Sequence, residues 1–160
     1  MMPVNYIKQI TENYVSQGYK AYKWVENKDT PPWLPLAKPI DQCRLGLIAS
    51  GGVYIKGQIA FHYKDDTSFR AIPKDVKTRD LRATHFAYDL DEARTDPNVV
   101  FPIDTLRTLV SEGVIGDLAD ELYTFMGGIY SARRVKEELA PKLLDKLLQQ
   151  QVDALLLVPV

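Results

Sequence analysis

The chain has 160 residues, with 20 Lys+Arg against 21 Asp+Glu and 46% hydrophobic residues, which suits one domain with a real core. A near-neutral balance leaves no electrostatic footprint for nucleic acid or an anionic membrane surface. One cysteine, Cys43, excludes an intrachain disulfide and any CxxC metal or redox motif, and apolar runs such as 154–158 are too short to span a bilayer.

From the amino end, Tyr6, Ile7, Ile10, Tyr14 and Val15 recur at helical spacing up to Gly18, and a further piece is expected to end at Trp24 and Val25. The segment "MMPVNYIKQITENY" lacks the continuous apolar stretch of a secretory signal, so a cytoplasmic protein is expected. Pro31, Pro32, Pro35 and Pro39 then forbid regular helix and predict an extended connector. Residues 1–41 are thus read as a helix with a Pro-rich arm, and 42–160 as the globular domain.

Arg44–Ala49 reads as a strand that turns sharply at Ser50-Gly51-Gly52. An irregular excursion follows, with a brief strand at 69–72. Residues 73–81 are polar with a turn of helix, 82–89 form a second strand candidate, and 90–98 an acidic loop. Pro102 opens a helix bearing Ile103, Leu106, Leu109 and Val110 and closed by Gly113. A strand ends at Gly127-Gly128. The last helix covers 133–150, with Val135, Leu139, Leu143, Leu144, Leu147 and Leu148 on its inner face and a kink at Ala140-Pro141. Val152–Val158 closes the chain as a strand expected to be buried on both faces. This order predicts an α/β fold: a small, largely parallel, flavodoxin/Rossmann-like sheet of about four strands flanked by helices, with an N-terminal helical arm. The last strand lacks the covering helix that normally follows.

In such sheets ligands bind beyond the carboxyl ends of the strands. That rim would gather Ser50, Gly51, Gly52, the 85–89 region and Gly127-Gly128. Glycine there lets backbone N–H groups approach a carboxylate or phosphate, although a tight turn with no ligand explains the pair equally well. No phosphate-loop or dinucleotide pattern is present. His85 and Asp89 share a face if their segment is extended, which would orient an imidazole for acid–base work; a histidine satisfied by backbone is the plainer reading. His62 reads as surface. Asp89, Asp91, Glu92 and Asp96 suit an exposed acidic loop better than a magnesium site, so no metal and no cofactor is expected. Arg133, at a helix start where cations oppose the dipole, is a candidate for an anionic substrate. Tyr88 and Tyr130 could box an ammonium group or simply pack. Cys43 lies at the other end of the first strand and reads as a small buried filler.

Five stretches, "LIASGGVYIKGQIAF", "SFRAIP", "LRATHFAYD", "DPNVVFPIDTLRTLVSEGVIGDLADELYTFMG" and "APKLLDKLLQQQVDALLLVPV", occur in an order that resembles the selenoprotein B family of the glycine, sarcosine, betaine and D-proline reductases. The resemblance covers about residues 42–160. It implies reductive C–N bond cleavage of an amino acid or its N-methylated derivative by a selenocysteine or cysteine, which thiols or thioredoxin-type partners restore. It also implies that Ser50, Gly51, Gly52, His85, Asp89 and Gly127 fall at recurrent family positions. The reactive residue of that family follows the strand corresponding to 152–159; the sequence stops at Val160, and Cys43 does not match. The expectation is a selenoprotein B-like protein that is redox-inactive alone. Two further readings stay open: a non-catalytic binding or partner subunit using the last strand, and a His–Asp-dependent enzyme of another class, such as a hydrolase or racemase. The expected partners are a small amino-acid or betaine-like ligand and a second copy or partner subunit, with neither nucleic acid nor membrane.

Overall fold

The computed structural model describes residues 3–21, 23 and 25–160; the expected end of a segment at Trp24 lies outside them. It divides into two compact units, Met1–Trp33 and Leu34–Val160. In the first, α1 (Tyr6–Ser16) starts where the Asn5 side chain accepts the Lys8 amide at 3.1 Å and stops at Gly18, whose φ of +85° suits glycine.

The second unit contains β1 (Arg44–Ala49), β2 (Val53–Ile55), β3 (Arg70–Pro73), β4 (Leu81–Ala83), α2 (Asp91–Thr95), α3 (Ile103–Ser111), β5 (Asp117–Leu118), β6 (Glu121–Thr124), α4 (Ala132–Arg134), α5 (Ala140–Gln149) and β7 (Ala154–Val158). β1 is the axis. It pairs in parallel with β7 along one edge, from Leu45↔Ala154 to Ala49↔Val158. Its other edge is shared, with β5 at Arg44–Leu45 and β6 at Ile48–Ala49, both parallel. β3 closes that side antiparallel to β6, ending on Pro73 as an edge strand can. The result is the expected α/β architecture: a mostly parallel sheet flanked by helices, with a helix in the N-terminal arm.

Burial follows the alternation of β1. Leu45, Leu47 and Ala49 join Ile72, Ile103, Leu106, Leu118 and Leu122 in the larger core. Ile48 points the other way, to Tyr123, Leu139, Leu143 and Leu147. Gly46 shares that face; a Cβ there would press on Leu147 and Val152 at 3.0 Å, so helix-to-sheet packing needs glycine. A strand buried on both faces reads as a continuous apolar run, as β1 does.

β7 differs from its expected burial. Leu155 and Leu157 are 40% and 62% exposed, because β7 pairs only with β1 and just one of its faces meets the larger core. The 82–89 segment is also no main-sheet strand: β4 pairs antiparallel with β2, and bends follow at 86–88. The acidic 90–98 loop contains α2 and a 3-10 turn at Pro97–Val99. The inner stripe of α5 is narrower than expected, with Leu144 and Leu148 exposed. The expected break near Pro141 takes the form of a π turn at Val135–Leu139: proline cannot donate, and its ring displaces the carbonyl four residues back.

Candidate functional site

β1, β6 and β7 end together, with Ala49 opposite Thr124 on one side and Val158 on the other. Backbone bonds knit the chain just beyond them. Ser50 N–H donates to Val158 O (3.0 Å), Gly52 N–H to Phe125 O (2.9 Å) and Gly127 N–H to Ser50 O (2.8 Å). The Ser50 hydroxyl oxygen accepts from Val160 N–H at 2.9 Å and keeps its own hydrogen to donate. Beside it a cleft of about 180 Å³ is lined by Ile48, Ser50, Phe125, Leu157, Val158 and Pro159.

The segment Thr84–Tyr88 arches over this junction. Thr84 N–H donates to Gly52 O at 3.0 Å, and the Tyr88 hydroxyl donates to Gly51 O at 2.7 Å. A Cβ on Gly52, whose φ is +69°, would run into Thr84 O; one on Gly128 would run into the Phe86 ring. One on Gly127 would crowd Ser50 at 3.1 Å. These glycines therefore let chain segments cross at backbone distance. The amides of Ser50, Gly52 and Gly127 are spent on protein acceptors, so a cradle of free amides is not what the glycines build.

His85 sits in the arch beside two rings, 4.8 Å from Tyr88 and 5.7 Å from Phe86 between centroids. Its Nδ1 accepts from Ala87 N–H at 3.0 Å, whereas its Nε2 is buried with no hydrogen-bond partner among the described residues. Burial pushes its pKa below the ordinary histidine value, favouring the neutral ring. Burial likewise pushes the Tyr88 phenol up, against a smaller opposing pull from Arg94.

Asp89 does not join His85. The bends turn its carboxylate to α2, where Oδ1 accepts the Asp91 amide at 3.0 Å, and no hydrogen bond links it to the imidazole among the described residues. An extended segment would have aligned the pair; the observed turn does not. Asp96 likewise caps its own loop, accepting from Asn98 N–H at 3.0 Å. Arg133 is on α4, paired with Glu137 at 2.8 Å and largely exposed. Its neighbour Arg134 is the structural one, reaching Glu138, Thr67 and Asp65 O, while Asp65 Oδ1 accepts the Tyr130 amide at 2.7 Å. Among the described residues no ring contact joins Tyr88 to Tyr130; Tyr130 stacks near Phe86 at 6.3 Å. Phe86 is thus a residue of the candidate site that the sequence reading missed. Its place in the loop beside His85 was the available signal, and its seat on Gly128 was not.

Cys43 is 1% exposed at the opposite end of β1, its Sγ within 3.4 Å of Lys38 O and 3.3 Å of Pro39 O. No helix among the described residues is long and apolar enough to cross a membrane.

A family model described as glycine/sarcosine/betaine reductase selenoprotein B matches residues 7–160. The chain is 35% identical over 143 residues to the D-proline reductase subunit gamma of Acetoanaerobium sticklandii, covering 89% of this chain and 59% of that protein. It is 29% identical over 137 residues to the glycine reductase complex component B subunit gamma of Symbiobacterium thermophilum, covering 81% of this chain and 31% of that protein. The sarcosine reductase complex component B subunit beta of Peptoclostridium acidaminophilum is 29% identical over 129 residues, with 73% and 29% covered. The chain therefore spans less than two thirds of the length of these relatives. No solved structure matches it.

Proposed function

The chain belongs to the glycine/sarcosine/betaine reductase selenoprotein B family, and from that membership we propose that it forms the substrate-side part of an amino-acid reductase subunit. It holds a small amino acid, or an N-methylated derivative, at the carboxyl ends of β1, β6 and β7. Alone it is redox-inactive, the thiol or selenol that attacks the substrate being brought by residues outside these 160. One observation carries the reading: the polar groups left over at the rim, the Ser50 hydroxyl hydrogen and His85 Nε2, can bind but cannot serve as a sulfur or selenium nucleophile. Cys43, the one thiol, is buried at the far end of β1 with carbonyl oxygens around it. In this reading Asp89 ties the end of the arch to the start of α2, Gly51, Gly52 and Gly127 hold the crossing, and Arg133 offers an exposed cation at the periphery.

The test is turnover and binding with the chain alone. D-Proline, glycine, sarcosine and betaine are supplied in turn with a dithiol. Binding of at least one without C–N cleavage is expected. Cleavage by the chain alone that persists in Cys43→Ser would overturn the redox assignment.

The exposed face of β7 favours a second role for the same chain, that of a partner module. Leu155 and Leu157 stand open on a strand with one free edge, which is how sheets recruit another chain. Light scattering should show self-association or, in the presence of a partner subunit, a complex that Leu157→Asp weakens. A strict monomer that no partner subunit engages would remove this role.

A further inference from the structure

The orphaned nitrogen of His85 specifies more than the presence of a ligand. An imidazole nitrogen that accepts a hydrogen bond carries no proton, so the contact from Ala87 N–H to Nδ1 places the hydrogen of the neutral ring on Nε2. Burial supports the neutral form. The group turned away from the loop is therefore an N–H donor. It is buried and has no acceptor among the described residues, a state that native proteins seldom leave unused. The loop around it is fixed at two points: Tyr88 to Gly51 O on β1, and Phe86 against Gly128 after β6. Phe86, 44% exposed, is the more exposed of the two rings beside the imidazole.

We propose that His85 is a specificity residue, and that its Nε2–H binds the carboxylate of the amino-acid ligand rather than acting as a general base. This rests on the amino-acid reading above. An ammonium or a quaternary nitrogen offers no lone pair to this donor, whereas a carboxylate offers a charged acceptor in a site shielded from water, where such bonds are strongest. The consequence is a selection rule. Every α-amino acid and betaine carries the carboxylate, while the substituents on nitrogen vary, so a site reading the carboxylate discriminates against amides and esters and tolerates N-methylation.

The experiment follows the His85 ring nitrogens by ¹⁵N NMR in the whole chain at pH 7, first free and then titrated with D-proline, sarcosine and betaine, each beside its carboxamide. The free protein is expected to show the neutral tautomer protonated on Nε2. The acids are expected to move the Nε2 signal and bind about ten-fold or more tighter than their amides, the worth of a hydrogen bond to a charged group. His85→Phe should erase that preference, and His85→Gln, which keeps a donor, should restore part of it. A proton on Nδ1, or acids that bind with the ring signals unmoved and the preference intact in His85→Phe, would overturn the inference and leave the ligand reading standing. Binding of none of the acids would overturn both. Should His85→Phe fail to fold, the Nε2 signal of the unmodified chain decides: it moves with the acids and not with their amides if the inference holds, and stays unmoved with both if it does not.

Discussion

At the amino end of β1, Lys74 Nζ is held by Asp117 (3.0 Å), Asp120 (3.2 Å) and Leu118 O (3.3 Å), and Arg44 approaches the same two acids. Arg107 joins from α3, donating to the backbone oxygens of Lys74 and Val76 and to Asp104. Those charges meet opposite charges or carbonyls, and of the groups lining the cavity of about 250 Å³ among them Lys74, Arg107 and Asp117 are already engaged. At the carboxyl end the balance reverses. Few side chains are charged, backbone amides and glycines make the junction, and one buried donor lacks an acceptor. A rim rich in charge is thus not the rim that solicits a ligand; unmet hydrogen-bonding capacity is the better guide.

If the carboxyl rim depends on backbone crossing, a methyl group at the crossing should be the most damaging change. Gly52→Ala adds a Cβ against Thr84 O at a positive φ, combining left-handed strain with a backbone clash; we expect a loss of about 3 kcal/mol or more. Urea unfolding measures it, and a loss below about 1 kcal/mol would mean the arch yields easily. Thr124→Val tests the same rim more gently. Thr124 is fully buried, and its hydroxyl oxygen accepts the Val53 amide at 3.1 Å, so the isosteric change orphans that amide and should lose about 1–3 kcal/mol. An unchanged midpoint would show that the amide finds another acceptor.

How far this contrast could be read from sequence depends on which contacts are local. The apolar run of β1, the Pro102–Gly113 frame of α3 and the Gly127-Gly128 stop after β6 all announce themselves within a few residues. The meeting of three strand ends also follows from element order, whereas the 85–89 region reaches them through its bonds to Gly51 and Gly52 and not as the end of a strand in that sheet. Asp89 capping α2 was legible too, since an acid two residues before Asp91 is a turn signal, but it competes with the reading of an extended His–Asp couple. By contrast, "ALLLV" has the same composition in a central strand as at an edge, so the exposure of Leu157 was hidden. Glycines that look alike in sequence differ by what crosses them, Thr84 at Gly52 and Phe86 at Gly128, and only the fold brings those partners in. The Nε2 orphan is likewise a property of surroundings, not of the histidine.

On the amino rim the effects should be smaller, because its charges are partly exposed. Lys74→Met keeps the aliphatic stem and removes the ammonium shared by Asp117 and Asp120. Side-chain exposures of 34% to 64% place the network in well-screened territory, so a loss of about 1 kcal/mol is expected, shrinking as salt is added. A loss of the size seen for Gly52→Ala would erase the contrast between the rims.

The smallest effect belongs to Asp104 and is best seen as a slope. Its carboxylate accepts from Thr78 (2.7 Å), Asn98 (2.9 Å) and Arg107 (2.9 Å), which hold its pKa below the ordinary aspartate value, Thr78 contributing most. A carboxyl depressed in the folded state binds fewer protons there than in the unfolded chain. Its contribution is therefore complete above the unfolded value and disappears as pH falls through the folded one. Asp104→Asn should flatten the acid limb of a stability–pH curve while leaving ligand binding at the opposite rim unchanged. Because the side chain is about half exposed, the difference should be a few tenths of a kcal/mol at neutral pH. An acid limb with the same slope in both proteins would remove Asp104 from the network, and a change in ligand affinity would show that the two ends of β1 are coupled rather than separate.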